Sequence, residues 1–224
     1  EKHNSVLASA QQMAAAGAET IQWGEEQRAA FSAIVALGNF EFSALLGVKG
    51  AKAFEDEPSL YTEAAAAASQ TMRLIARVID SRQAAGHARV AVFCESTTQL
   101  KILRCYLERQ ERTVGTLLLF DGALSAAQRA SIVRQFLECD KGVLLLSGAG
   151  SIGITLCPGC EVLLSVGSLP WNASTIDQAF GRIYRIGQDK PVEIIQFAAR
   201  RSVTSAKLGL HADKRERLAR AAAD

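Results

Sequence analysis

The chain has 224 residues, is 49% hydrophobic and carries a formal net charge of +2 at pH 7. This length and composition are typical of a globular protein that can bury a substantial core in one or two domains. The near-neutral charge excludes a globally basic nucleic-acid-binding chain, although it leaves a local basic patch open.

The five cysteines are odd in number and lie mostly in apolar runs, which favours buried thiols in a reducing compartment over a disulfide framework. The sequence contains no signal peptide and no apolar run long enough to cross a membrane, so we expect an intracellular protein without a membrane partner. The chain begins with Glu1 rather than Met, and we expect it to be a piece of a longer protein.

Residues 1–84 are rich in alanine and contain no convincing strand. The stretches MAAAGAE, EEQRAAFSAIVAL and TEAAAAASQTMRLIARVID are typical of helices broken by glycines. The acidic run at residues 55–57 follows no apolar strand, so a solvated loop is favoured over a metal-binding motif. We therefore predict a helical segment that leads into the first strand.

From about Val90 onward, short apolar runs alternate with helical stretches. The runs read RVAVFC, TLLLF, GVLLLS, EVLLSV and VEIIQF, which is typical of buried parallel strands. Ser125 and Gln128 form a capping box that predicts a helix ending near Cys139, and apolar spacing predicts another helix over residues 97–111. The sequence therefore predicts an α/β fold with a parallel sheet flanked by helices, and a closing helix over residues 202–223.

Gly148, Gly150 and Gly153 spell GxGxxG directly after a predicted strand, which raises the alternative of a dinucleotide-dependent oxidoreductase. That fold needs a helix after the glycines, and only seven residues separate Gly153 from the next strand at Glu161. The oxidoreductase interpretation is therefore disfavoured. It predicts that the chain alone binds NAD.

Cys157 and Cys160 form a CxxC pair, for which a structural turn with buried thiols is favoured over a zinc or redox site. The three histidines are isolated in sequence, so no metal site and no Ser-His-Asp arrangement is predicted. The GxxxxGK[ST] pattern is absent as well, so the chain carries no phosphate-binding loop of its own.

Residues 178–188 read QAFGRIYRIGQ. If this stretch is helical, Gln178, Arg182 and Arg185 share one face, on which a planar anion could bind. The spacing alone is more typical of a solvated helical face, so the interpretation depends on the neighbouring motifs.

Those motifs resemble the SWI/SNF-like ATP-dependent DNA translocases. The stretch WNASTIDQAFGRIYRIGQDKPVEI (171–194) resembles their sixth helicase motif with its flanks, and the RIGQ ending is more specific to this family than to helicases at large. VAVFCESTTQL (90–100) is similar to the fourth motif and LLLSGAGSIGITL (144–156) to the fifth. FDGALSAAQRASIVRQF (120–136) is similar to the family's Asp-Gly, Ser, Arg and Phe pattern.

The resemblance covers about residues 70–220 and implies three parts. Residues 85–200 would form a helicase C-terminal RecA-like lobe, residues 1–84 a helical segment linking to a first lobe outside this chain, and residues 201–224 a bracing helix. In this family the phosphate-binding loop belongs to the first lobe, which accounts for its absence here.

The resemblance also implies an ATP site between the two lobes, in which ATP with Mg is bound mainly by the first lobe. Arg182 and Arg185 would be arginine fingers that stabilise the charge of the transferred phosphoryl group, with Gln178 and Gly153 near the nucleotide. The chain alone should then show no ATPase activity.

Double-stranded DNA, including nucleosomal DNA, and the missing first lobe are the partners that the resemblance implies, together with a nuclear location and a role in chromatin remodelling or DNA repair. The implied DNA-contacting residues are Glu95, Ser96, Ser147, Trp171 and Asn172. A buried aromatic is an equal alternative for Trp171.

Some positions depart from the family pattern. Gly148 stands where the family usually has Lys or Arg, Thr155 where it has Asn, and Tyr184 where it has His. These losses of polar groups motivate an alternative from another class: a degenerate lobe that acts as a binding or scaffold module without ATP turnover.

Overall fold

The computed structural model describes residues 70–109, 114–148, 153–167, 173–198 and 203–221. Its strands are β1 (Arg89–Cys94), β2 (Thr116–Phe120), β3 (Gly142–Ser147), β4 (Val162–Val166) and β5 (Glu193–Gln196). Its helices are α1 (Gln70–Ala84), α2 (Thr97–Arg109), α3 (Ala126–Glu138), α4 (Ala173–Phe180) and α5 (Val203–Ala221). The helices and the acidic loop predicted before Gln70 lie outside the described residues.

The five strands form one sheet in the order β2-β3-β1-β4-β5, and every pairing is parallel. The predicted α/β fold, a RecA-like parallel sheet flanked by helices, is confirmed. Three of the apolar runs coincide with their strands, and the last two runs exceed theirs by a single residue at one or both ends.

Helices cover both faces of the sheet, which is why its strands are continuously apolar. Alternate residues of β1 enter two separate cores: Val90 and Val92 pack on the side of α1 and α2, whereas Ala91 and Phe93 pack on the side of α3. All four side chains are at most 1% exposed. This three-layer packing leaves the carboxyl edge of the strands as the place where polar groups can gather.

The capping box predicted at Ser125 is confirmed at the start of α3. The Ser125 hydroxyl accepts from Gln128 N, and the Gln128 side chain accepts from Ser125 N at 2.9 Å. The reciprocal bonds satisfy backbone donors that the first turn of the helix would otherwise leave open. The helix ends at Glu138, one residue before the predicted end.

The GxGxxG glycines do not open a helical crossover within the described residues, as expected. Residues 153–161 form turns rather than a helix before β4. β3 and β4 are not neighbours either, because β1 lies between them in the sheet. No helix in the described part of the chain combines the length and apolarity that a membrane span requires.

Candidate functional site

Glu95 and Ser96 follow β1, and Ser147 and Gly148 lie at the end of β3, the neighbouring strand. Cys94 pairs with Ser147 in the parallel register, so the four positions meet at one point of the carboxyl edge of the sheet. The loops that follow parallel strands at this edge are where α/β folds usually build their sites.

The serines predicted to bind nucleic acid have different surroundings. Ser147 is only 1% exposed, whereas Ser96 is half-buried and its hydroxyl accepts from Gln99 N at 3.3 Å in the first turn of α2. Ser96 thus caps a helix, and Ser147 is enclosed at the strand end. The predicted positions Trp171 and Asn172 lie outside the described residues.

Glu95 is exposed, and its carboxylate lies against Gly148. A Cβ placed on Gly148 would come within 2.8 Å of Glu95 Oε2 and 3.1 Å of Cδ. The absence of a side chain at position 148 therefore leaves room for an anionic group at the strand edge. At position 148 the SWI/SNF-like pattern has a positive side chain, whereas here a negative carboxylate fills the space beside Gly148.

A buried cation reaches the same edge from α5. Lys207 is 3% exposed, and burial lowers the pKa of its ammonium group to about 8, an effect that the neighbouring Glu95 carboxylate partly opposes. Thr204 and His211, which share its helical face, are also buried. No pattern in the sequence points to Lys207, because only the tertiary fold brings it close to Glu95.

The segment around Gly153 supports the two predicted arginine fingers. Gly153 is exposed with φ +82°, and the chain then turns through Ile154, Thr155 and Leu156. Leu156 N donates to Arg182 O at 2.9 Å, and Arg182 Nη1 donates to Ile154 O at 3.4 Å. Residues 154–156, from the predicted fifth motif, therefore lie directly against the predicted sixth motif.

Arg182 is half-buried, and its Nε is a buried donor without a hydrogen-bond partner among the described residues. Arg185 is exposed and donates from Nη1 to Thr155 Oγ1 at 2.8 Å. Neither guanidinium forms a salt bridge with a carboxylate in the described part of the chain. Both positive charges remain uncompensated there.

The expectation that Gln178, Arg182 and Arg185 share one helical face is wrong. Helix α4 ends at Phe180, and Arg182 N and Ile183 N bond to carbonyls three residues back rather than four. Gly181 follows the last residue of the helix, and the tighter winding begins there. Both arginines therefore lie after the end of the helix. Gln178 is exposed on the helix itself.

Two large apolar side chains flank Arg185 on the surface. Tyr184 is 74% exposed, and Ile186 is fully exposed. Large exposed apolar groups beside unpaired charges are typical of a contact surface. In the sequence, Ile186 stands out only as part of the family-specific RIGQ ending, which assigns it no role.

The CxxC pair forms the favoured turn, but only one of its two thiols is buried: Cys160 is buried and Cys157 is partly exposed. All five cysteines are free; burial raises the pKa of the Cys160 thiol to about 12, and Cys157 Sγ donates to Arg185 O at 3.8 Å. A thiol whose pKa is raised is a poor metal ligand. No group of three or more His, Cys, Asp or Glu residues is placed to hold a metal ion among the residues that the structure describes.

In a comparison with protein families, the family of the helicase conserved C-terminal domain matches residues 70–187 of this chain. The chain is 30% identical over 152 residues to the putative SWI/SNF-related matrix-associated actin-dependent regulator of chromatin subfamily A member 3-like 1 of Arabidopsis thaliana, which covers 66% of this chain and 17% of that protein. It is 32% identical over 133 residues to the DNA repair protein RAD5 of Saccharomyces cerevisiae, which covers 57% of this chain and 11% of RAD5. The chain thus spans less than a fifth of either relative.

A solved structure, the C-terminal part of the Fun30 ATPase domain, superposes with a TM-score of 0.61 at 21% identity. The superposition covers 73% of this chain and 53% of the Fun30 chain. At this level of identity the likeness shows a shared fold.

Proposed function

Because the chain belongs to the family of helicase conserved C-terminal domains, of the SWI/SNF-like type, we propose that it is the second motor lobe of an ATP-dependent double-stranded DNA translocase. The lobe acts in chromatin remodelling or DNA repair in the nucleus, and its partners are DNA and a first lobe. The observation that carries the proposal is the pair of guanidinium groups of Arg182 and Arg185, which lack carboxylate partners in the described part of the chain.

Arginine suits this role because it stays ionised and offers several donors in a fixed fork. Phosphoryl transfer spreads negative charge over the equatorial oxygens of the γ-phosphate, and an arginine supplied from a second lobe stabilises that charge. Arg185, exposed and directed by Thr155, is the stronger candidate for direct contact. Arg182, held against residues 154–156, is the second.

The remaining ATP-site positions have supporting roles in the proposal. Gly153 begins the segment that contacts both arginines, and Gln178 lies on the helix that precedes them. Both are exposed, and in this proposal both face the nucleotide. In this proposal ATP with Mg is bound mainly by the first lobe, as the resemblance to the SWI/SNF-like family implies.

DNA binds at the carboxyl edge in this proposal, through its phosphates rather than its bases. Glu95, Ser96 and Ser147 mark the edge, with Trp171 and Asn172 on the segment before α4. Since Ser147 is buried, exposed groups around it make the contact or the edge opens when DNA binds.

One observation favours the second candidate function, a lobe that binds or scaffolds without ATP turnover. The Glu95 carboxylate occupies the space beside Gly148, where the SWI/SNF-like pattern places a cation. A carboxylate repels DNA phosphates and would weaken the coupling of DNA binding to ATP hydrolysis.

The test is the DNA-stimulated ATPase of the longer protein that contains both lobes. Arg185→Ala should abolish turnover while leaving ATP binding largely intact, and Arg134→Ala, at an exposed arginine on α3, is the matched control. Unchanged turnover in Arg185→Ala would refute the finger assignment. A wild-type protein that binds DNA but hydrolyses no ATP would favour the scaffold.

A second test measures the ATPase activity of this chain by itself. The chain should show no ATPase activity, because the proposed site needs a phosphate-binding loop from the other lobe. Activity of the isolated chain would contradict the assignment as a second lobe.

A further inference from the structure

A groove of about 740 Å³ lies between α1 and the carboxyl ends of β4 and β5, and neither predicted arginine finger lines it. One wall is the first half of α1, and the other is formed by the carboxyl ends of β4 and β5. Its lining combines apolar side chains with two cations: Leu74, Val78, Ile195, Phe197, Arg73 and Arg77.

The two arginines of the groove have no partner among the described residues, in contrast to a third arginine on the same helix. Arg82, near the amino end of β5, bonds to Glu193 at 2.6 Å. Arg73 and Arg77 are exposed, lie one helical turn apart, and have no salt bridge or side-chain hydrogen bond to any described residue. The groove therefore has a positive rim that no described carboxylate compensates.

The bottom of the groove is apolar and incompletely covered. Leu74 is 51% exposed and lies between the two arginines in sequence. An exposed leucine next to half-buried Val78, Ile195 and Phe197 favours a ligand that brings apolar groups of its own. A phosphate backbone would satisfy the arginines but leave these side chains in water.

We propose that the groove binds the acidic segment 54–61 of this same chain, FEDEPSLY. This segment combines three consecutive acidic residues, at 55–57, with Phe54, Leu60 and Tyr61. Its carboxylates complement Arg73 and Arg77, and its apolar side chains match the groove floor.

The connection is long enough. Residues 1–69 lie outside the described part of the chain and join it at Gln70, which itself lines the groove. Residues 62–69 link the segment to Gln70 and span about 12 Å when the helix predicted from Thr62 continues α1. The eight residues 54–61 span up to about 29 Å when extended, which is enough to fold back along α1. The stretch of α1 from Gln70 to Val78 rises only about 12 Å. Because the segment is tethered, its effective concentration at the groove is high.

Limited proteolysis of the whole chain tests the proposal, since cleavage of a bound segment depends on how often it dissociates. The protease Glu-C should cut after Glu55 slowly in the wild-type chain and about tenfold faster in Arg73→Glu/Arg77→Glu. Leu74→Ser should also accelerate cleavage. The controls Arg134→Glu and Leu210→Ser change an exposed arginine on α3 and a partly exposed leucine on α5, and both should cut at the wild-type rate.

A charge swap separates binding from unfolding. In Glu55→Lys/Asp56→Lys, trypsin should cut rapidly at the substituted positions, and adding Arg73→Glu/Arg77→Glu to that variant should slow the cut again. Circular dichroism should match the wild type in every variant, because the substituted side chains of α1 are exposed.

Equal cleavage rates in the wild type and in Arg73→Glu/Arg77→Glu would overturn the proposal. Protection that vanishes on dilution would assign the groove to a second copy of the chain. Protection that appears only with duplex DNA would assign it to nucleic acid. Either of the last two results would also overturn the proposal.

Discussion

Arg185 donates a hydrogen bond from Nη1 to Thr155 Oγ1 over 2.8 Å, joining two segments that are 30 residues apart in the chain. The bond holds one end of an exposed guanidinium, and the other donors of that group bond to no residue that the structure describes. Its acceptor is the residue that replaces the Asn of the SWI/SNF-like pattern. Thr155 therefore orients the proposed finger while differing from the family pattern.

Thr155→Val removes this acceptor and nearly preserves the side-chain volume. In the two-lobed protein we expect the DNA-stimulated ATPase rate to fall roughly tenfold, because the arginine loses its orientation. The free energy of unfolding should change by less than about 1 kcal/mol, since the guanidinium is exposed. Thr155→Ser keeps the hydroxyl and should behave as the wild type. Equal rates in Val and Ser variants would mean that the hydroxyl does not orient Arg185.

The capping box at Ser125 gives a second prediction. Ser125→Ala removes the acceptor for Gln128 N and should lower the free energy of unfolding by about 1 kcal/mol in a denaturant titration. Ser131→Ala lies within the same helix, where its hydroxyl accepts only an exposed bond from the Gln135 side chain at 3.0 Å. A cost at Ser131 as large as at Ser125 would argue against a specific capping effect.

The strands and this cap could be predicted from the sequence because both are local. The run RVAVFC needs only its own residues to indicate a buried strand, and Ser125 lies three residues from Gln128. The arrangement of the fingers could not be predicted in the same way. Helical periodicity placed Arg182 and Arg185 on one face, but the helix ends at Phe180.

The surroundings of Glu95 depend even more on tertiary structure. Neither the contact of its carboxylate with Gly148 nor its proximity to Lys207 follows from any short-range pattern. The glycine motif at Gly148 instead suggested a dinucleotide site. Only the parallel register of β1 with β3 shows that position 148 lies beside the end of β1.

Gly115 and Gly86 both have positive φ, at 78° and 100° respectively. Substituting each by alanine therefore compares the cost of backbone strain with and without a close backbone contact. A Cβ on Gly115 would lie 2.1 Å from Lys141 O, a backbone atom that also accepts from Thr116 N, whereas a Cβ on Gly86 meets nothing within 4 Å. Gly86→Ala should cost about 1 kcal/mol of stability. Gly115→Ala should cost several kcal/mol, because the backbone of the loop must shift. Thermal unfolding of the two variants measures the difference, and equal costs would contradict this account.

Lys207 makes the stability depend on pH. Its pKa in the folded chain is about 8, below the usual 10.5, because burial disfavours the charged ammonium. Between these two values the unfolded chain retains a proton that the folded chain has released, so the free energy of unfolding rises with pH. Below about pH 8 the cost of burying the charge is constant.

The buried thiols act in the opposite direction at higher pH. Burial raises the pKa of Cys94 and Cys160 to about 12 from 9.0, so the unfolded chain loses these protons first and the folded state is weakened above about pH 9. Lys207 therefore dominates the pH dependence of the free energy of unfolding only between about pH 8 and pH 9. A comparison with a variant that lacks the ammonium isolates its contribution.

Lys207→Met removes the titrating group and retains an unbranched side chain. Over the window from about pH 8 to pH 9 the wild type should gain at most about 1.4 kcal/mol per pH unit relative to this variant. Glu95→Gln should shift the start of the rise to lower pH, because the Glu95 carboxylate raises the pKa of Lys207. Urea titrations at several pH values provide the measurement. Parallel curves for the wild type and Lys207→Met would mean that Lys207 titrates normally and that its ammonium group remains hydrated at the edge of the sheet.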